Sequence, residues 1–149
     1  MKFRNEKLEK FEEMLPNQKI AVIGLGVSNI PLIDYLYSKH AKVSVFDDRE
    51  EEKIDKEIID KMKIYGFNQY LGAGNLKKLN GFDLIFRSPS CLPTKPELVE
   101  EANRGAIITT EIEQLMELAP CKIIGITGSD GKTTTTTLTA EVLKSAGYT

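Results

Sequence analysis

The chain of 149 residues predicts an α/β fold: a parallel sheet with helices on both faces, followed by one further strand–loop–helix unit. Three observations predict it. Short runs rich in β-branched residues recur along the chain and are apolar on both faces, as strands buried within a parallel sheet must be. Patterns of helical period separate them, giving the alternation of strands and helices found in layered α/β proteins. Two glycine-bracketed turns, one near each end, sit where a strand passes into a helix.

Residues 3–15 place Phe3, Leu8, Phe11 and Leu15 at near-helical spacing between charges and read as a short amphipathic leading helix. KIAVIG (19–24), KVSVF (42–46), DLIF (83–86), AIITT (106–110) and KIIGIT (122–127) read as strands, and NQYLG (68–72) as a weaker one. Helical patterns occupy 28–39, a strongly charged 50–64, 96–104 and 111–118. A last helix runs through LTAEVLKSAG and starts inside the threonine run 133–137. Ala119-Pro120 marks the boundary, because proline ends the preceding helix and the chain restarts into a strand. The expected division is 1–119 and 120–149. About thirty residues cannot make their own core, so strand 122–127 and its helix are expected to pack on the first unit or on a neighbouring chain.

Composition narrows the function classes. With 41% hydrophobic and 28% charged residues, the chain reads as an ordinary soluble globular protein. Its net charge of −2 gives no basic footprint for nucleic acid or an anionic membrane. No apolar run approaches the roughly eighteen residues of a transmembrane helix, and MKFRNEKLEKFEEML is too charged for a signal peptide. A cytoplasmic protein that neither binds nucleic acid nor inserts into a membrane is expected. Cys91 and Cys121 share no metal-like spacing and read as reduced thiols. His40 is the only histidine, so a serine–histidine–aspartate triad or a histidine-based zinc site is short of residues. It reads as a solvated residue near a helix C-terminus, where its charge suits the helix dipole.

The first turn, Gly24-Leu25-Gly26-Val27-Ser28-Asn29, lies between a strand and a helix. Two glycines there let the backbone approach a phosphate at a helix N-terminus, the arrangement of a Rossmann-like sheet. Asn29 occupies the third glycine position, so the dinucleotide fingerprint is incomplete. The second strand ends in Asp47-Asp48-Arg49, and Asp47 lies 23 residues after Gly24, about where such a sheet puts an acid on a ribose. Arg49 sits awkwardly with a plain nicotinamide cofactor, because a cation there can meet a phosphate or stack on a base.

The second turn is TGSDGKTT, in which Gly131-Lys132-Thr133 forms the end of a Walker A loop. Such a loop wraps phosphates in backbone N–H groups, reaches the terminal ones with lysine and ligates Mg²⁺ through the hydroxyl. The strict form wants glycine five places before Gly131, where Ile126 stands, so the loop is a compact variant. Asp130 is expected to point away from phosphate and to tolerate the positive φ of a tight turn. Thr134 falls in the first helical turn, where its hydroxyl can face phosphate. Thr135, Thr136, Thr137 and Thr139 are expected to bond back to helix carbonyls or to pack.

IGLGVSNIPLIDYL, VFDDR, RSPSCLPTKPEL, TEIEQL and ITGSDGKTTTTTLTAEVLKSAGY together resemble the Mur ligase family of peptidoglycan synthesis. The closest branch is the one that adds D-glutamate to UDP-N-acetylmuramoyl-L-alanine. The resemblance spans nearly the whole chain after residue 18, and TGSDGKTT is its most specific part. It implies a uridine-nucleotide-binding domain over 1–119 and the start of a central ATP-binding domain over 120–149, so the chain reads as an N-terminal fragment of a monomeric enzyme. The uridine-diphosphate site would fall on Val27, Ser28, Asp47, Asp48, Arg49 and Ser90, the last standing where the family has glycine. The ATP loop would be Gly128, Ser129, Asp130, Gly131, Lys132, Thr133 and Thr134, with Lys132 on the phosphates as the catalytic residue and Thr133 on magnesium. The implied reaction phosphorylates the alanine carboxylate with ATP; the D-glutamate amine then attacks the acyl phosphate. The fragment alone is expected to be inactive. Three alternatives stay open: a nicotinamide-dependent oxidoreductase, against which Asn29 and the second loop count; a nucleotide-binding module without catalysis; and another Mur or folate-polyglutamate ligase branch. The folate relatives share the ATP loop but lack a uridine-binding first domain.

Overall fold

The structure, a computed structural model, describes residues 4–148. Its sheet has five strands, all parallel, in the order β3-β2-β1-β4-β5. These are β1 (Lys19–Ile23), β2 (Lys42–Asp47), β3 (Asn68–Leu71), β4 (Leu84–Arg87) and β5 (Ile107–Thr109). The helices are α1 (Glu6–Met14), α2 (Asn29–Ser38), α3 (Lys56–Ile64), α4 (Pro96–Asn103), α5 (Glu111–Leu118) and α6 (Lys132–Ser145). The Rossmann-like α/β fold read from the sequence is the fold observed. Phe3, assigned to the leading helix, lies outside the described residues.

Alternation along the strands explains the sandwich. Ile20, Val22, Val43, Val45, Leu84 and Phe86 point to one face, where Phe11 and Leu15 from α1 and its end join Ile33, Leu36, Ile59 and Met62 from α2 and α3. Ala21, Ile23, Phe46 and Ile85 point to the other face and meet Leu76, Leu79, Cys91 and Leu98. Each central strand is therefore apolar on both sides, and burying a side chain of this size contributes roughly 1.5–3 kcal/mol. The charged stretch 50–64 is not one helix. Ile54 adopts extended backbone and is buried, so a 3₁₀ turn over Glu51–Lys53 is separated from α3.

Three local devices fix the outer layer. Asn5 Oδ1 accepts the Leu8 amide at 3.2 Å and caps α1, while its Nδ2 donates to the Leu118 carbonyl at 2.8 Å at the end of α5. The fully buried Glu101 on α4 accepts the Phe82 amide at 2.9 Å and pairs with Arg104, tying α4 to the entry of β4. His40 is exposed, as expected, and closes α2 with φ 58°. Its amide reaches the Tyr37 carbonyl, and the Ala41 amide reaches that of Leu36, the paired bonds of a Schellman cap.

The C-terminal segment departs from expectation in two ways. Residues 122–127 form no strand. A lone apolar run becomes a strand only beside a neighbour that accepts its ladder bonds, and no described segment pairs with it. The expected packing of this unit on the first domain is also not observed: no residue from Pro120 to Tyr148 is buried, and Ile123, Ile124, Leu138 and Val142 are exposed. The loop-to-helix transition does form, with α6 starting at Lys132 inside the threonine run.

Candidate functional site

Strand order locates the site. The chain leaves β1 toward β2 and β3 on one side and reaches β4 and β5 on the other. Helices leaving adjacent strands in opposite directions open a crevice outside the carboxyl ends of β1 and β4, where ligands of such sheets bind. A cleft of about 390 Å³ occupies that position, lined by the β1 turn, the β2 end (Asp47, Asp48, Arg49) and the segment after β4 that carries Ser88, Ser90 and Lys95.

The β1 turn is held from both ends. Gly24 has φ +95°, and a Cβ on it would lie 2.9 Å from Ser88 Cβ and 3.0 Å from Ser88 Oγ. Only glycine lets the β4 segment approach so closely. Asn29, in the third glycine position, is buried and donates from Nδ2 to the carbonyls of Ile23 (3.1 Å) and Gly24 (2.8 Å). Its side chain thus stitches α2 to the turn. The Val27 and Ser28 amides have no partner among the described residues, and they immediately precede α2, at the helix N-terminus where anions are favoured. Both residues are exposed, Val27 at 93%, and they follow Gly26 at the rim of the cleft.

Asp47 is a structural knot. Its Oδ2 accepts the Leu25 amide at 2.7 Å and Arg49 Nη2 at 2.8 Å; its Oδ1 accepts the Arg49 amide at 3.0 Å and Arg49 Nε at 2.8 Å. Arg49 Nη2 also reaches the Leu25 carbonyl at 3.0 Å. Burial works to raise the Asp47 carboxyl, but the Arg49 guanidinium and the two amides outweigh it and hold the group below the usual carboxylate range. The same pair raises Arg49. With both oxygens occupied, Asp47 positions the turn and Arg49 more readily than it receives a ligand. Asp48 differs: among the described residues only its Oδ1 is engaged, by Asn75 at 2.8 Å.

The β4 side contributes hydroxyls and a cation. Ser88 and Ser90 share a hydrogen bond at 3.0 Å. Arg87 donates to the Cys91 carbonyl at 3.2 Å and so braces the 88–91 turn. Burial pushes the Cys91 thiol up, consistent with an inert lining group. Lys95 precedes α4, and its ammonium has no partner among the described residues. Sequence reasoning missed it, since a lysine before a Pro-Glu helix start carries no motif.

Asp47, Asp48, Arg49 and Ser90 therefore converge on one cleft, with Val27 and Ser28 at its edge. Gly128 to Thr134 lie elsewhere: Gly128 to Gly131 form an exposed loop, and Lys132, Thr133 and Thr134 open α6. Gly131 takes φ 73° at the helix start, and Lys132 Nζ folds back onto the carbonyls of Gly128 and of Ser129, the latter at 3.1 Å. Thr136 and Thr137 bond back to the carbonyls of Lys132 (2.8 Å) and Thr133 (3.0 Å), as expected, whereas the Thr133 and Thr134 hydroxyls have no hydrogen-bond partner among the described residues. No helix among the described residues is long and apolar enough to cross a membrane.

Known proteins resemble this chain along nearly its whole length. A UDP-N-acetylmuramoylalanine--D-glutamate ligase from Ruminiclostridium cellulolyticum is 46% identical over 97% of this chain and 31% of its own length. The corresponding ligases of Clostridium tetani and Clostridium botulinum are 43% and 46% identical over 97% and 93% of this chain, and over 31% and 30% of their own lengths. The chain thus spans about a third of the curated relatives it matches. The model for the N-terminal domain of MurD-like Mur ligases matches residues 18–110, which hold all five strands and the whole cleft, and the chain belongs to that family.

Proposed function

We propose that the cleft holds the uridine diphosphate end of UDP-N-acetylmuramoyl-L-alanine, and that the protein carrying this domain joins D-glutamate to that substrate at the expense of ATP. The observation that carries the reading is the cleft itself: Arg49 and Lys95 line one switch-point crevice, and the Val27 and Ser28 amides, without partners among the described residues, directly follow Gly26 in its wall. Val27 and Ser28 would meet the diphosphate through their amides. Arg49, held flat by Asp47, would stack on or bond the nucleoside. Asp48 would accept from it, and Ser90 would donate to phosphate or sugar. Held this way, the nucleotide is a handle whose binding energy orients the distant alanine carboxylate.

The ATP reading rests on the loop Gly128 to Thr134. Lys132 would leave the loop carbonyls for the terminal phosphates, while Ser129, Asp130 and the glycines supply the wrapping backbone. Thr133 suits a magnesium ligand, since its hydroxyl oxygen is the hard donor this ion prefers and no described residue bonds it. The ion, when bound, would neutralise charge on the transferring phosphoryl group. The division into a uridine domain over 1–119 and an ATP unit from 120, a monomeric whole enzyme and a cytoplasmic location belong to the same reading.

Calorimetric titration of the 149-residue chain tests it. UDP-N-acetylmuramoyl-L-alanine should bind weakly, ATP poorly, and NADH not at all, with no ligase activity. Arg49→Ala should weaken the uridine ligand at least tenfold. Micromolar ATP binding would refute the view that the exposed loop lacks its walls. NADH binding without UDP-sugar binding would return the domain to the oxidoreductases.

A further inference from the structure

The cleft has a support that none of its lining residues explains. Asn75 follows the turn after β3 and is 6% exposed. Its Nδ2 donates at 2.8 Å to two acceptors, Asp48 Oδ1 and the Gly72 carbonyl. Its Oδ1 is buried without a partner among the described residues. The turn is tied to the end of β2 a second time, because the Gly72 amide reaches the carbonyls of Asp47 at 2.9 Å and Arg49 at 3.0 Å. Gly72 has φ +85°, a backbone conformation that glycine adopts without strain, and the Glu50 carboxylate lies over it.

A buried amide with an orphaned oxygen is a poor choice for packing alone. An apolar side chain of similar shape would fill the space without leaving a polar atom unmatched. What asparagine supplies is an N–H₂ able to satisfy a carboxylate and a carbonyl at once. The carboxylate it holds is the one in this cleft with an oxygen to spare: both oxygens of Asp47 are taken, while Asp48 Oδ2 has no partner among the described residues.

We propose that Asn75 is a positioning residue for ligand recognition: it fixes the Asp48 carboxylate so that its second oxygen accepts a hydroxyl or imide N–H of the bound nucleoside. The inference rests on reading the cleft as a uridine-nucleotide site. Asn75 acts through Asp48 and does not itself touch the ligand.

A double-mutant cycle on the 149-residue chain tests it, with uridine 5′-diphosphate as titrant and Asn75→Leu, Asp48→Ala and the pair as variants. Asn75→Leu keeps the branched shape at a somewhat larger volume, and folding is checked by a thermal melt; Asn75→Ser serves if the leucine variant does not fold. Each single variant should weaken binding about tenfold, and the pair should bind no more weakly than Asp48→Ala alone. A hundredfold loss in the pair, or an unchanged affinity in Asn75→Leu, overturns the proposal. If the wild-type chain binds no UDP, the uridine reading fails on its own, and the positioning link is then read by ¹⁵N NMR. Asp48→Ala should shift the Asn75 side-chain amide resonances; no shift would overturn the link as well.

Discussion

Gly24→Ala isolates the contact on which the cleft depends. The substitution meets two separate penalties. A non-glycine residue at the φ of +95° found here is strained by roughly 1–2 kcal/mol. The new methyl also lies 2.9 Å from Ser88 Cβ and 3.0 Å from its Oγ, well inside the ~3.5–4.0 Å of a favourable carbon contact. Ser88 cannot withdraw freely, because its amide is bonded to the Ile23 carbonyl at 2.9 Å. Overpacking of this kind costs about 1–3 kcal/mol, so the total expected loss is about 2–5 kcal/mol. Urea unfolding followed by circular dichroism reads it from the shift in midpoint at constant slope. Ser88→Gly should restore only the steric share, giving a coupling of about 1–3 kcal/mol in the cycle and leaving the backbone strain. Gly24→Ala within about 0.5 kcal/mol of wild type, or strict additivity with Ser88→Gly, would refute the account of the close approach.

Asp47→Asn should lower stability by about 1.5–3 kcal/mol at pH 7, toward the lower end because Arg49 is partly solvated. The folded carboxyl lies below its unfolded value near 3.9. Its contribution is therefore present above about pH 4 and disappears as pH falls through the folded value. Acid unfolding followed by fluorescence of the tyrosines should show a shallower slope in the asparagine variant, and an identical slope would contradict the linkage. His40→Gly should stabilise the domain by about 0.5–1 kcal/mol, since it removes a left-handed histidine from an exposed cap; a lower melting temperature would count against this. Removing residues 122–149 should leave the melting temperature within about 1 °C, because none of the described residues of that segment is buried. A loss of several degrees would reveal packing on the domain.

The strands β1, β2, β3, β4 and β5 were legible because each is a short β-branched or aromatic run closed by polar residues or glycine. KIIGIT has the same signature and formed no strand, since composition states a willingness to pair and cannot supply the partner. Helix α3 was overextended because charge and period were continuous through Ile54, whose burial became visible only in three dimensions. At the cleft, glycine spacing and the acidic strand end marked Val27, Ser28, Asp47, Asp48 and Arg49. The division of labour between the two aspartates was not readable, because it depends on which amide each oxygen meets. Asn75 and Lys95 were silent for the same reason: they come from turns distant in sequence, and the sheet alone brings them to the cleft.

The bond from Asn5 to Leu118 has a consequence for the order of assembly. It closes across 113 residues, so the Asn5 side chain gains its second partner only once α5 exists. Before that, α1 can already lay Phe11 against the face of β1 and β2, with its N-terminus capped by the Asn5 Oδ1. Contacts of such separation slow folding because ordering the intervening chain precedes their reward. The tie between α1 and α5 is thus among the last contacts of the domain to form, and it closes the outer layer over the sheet.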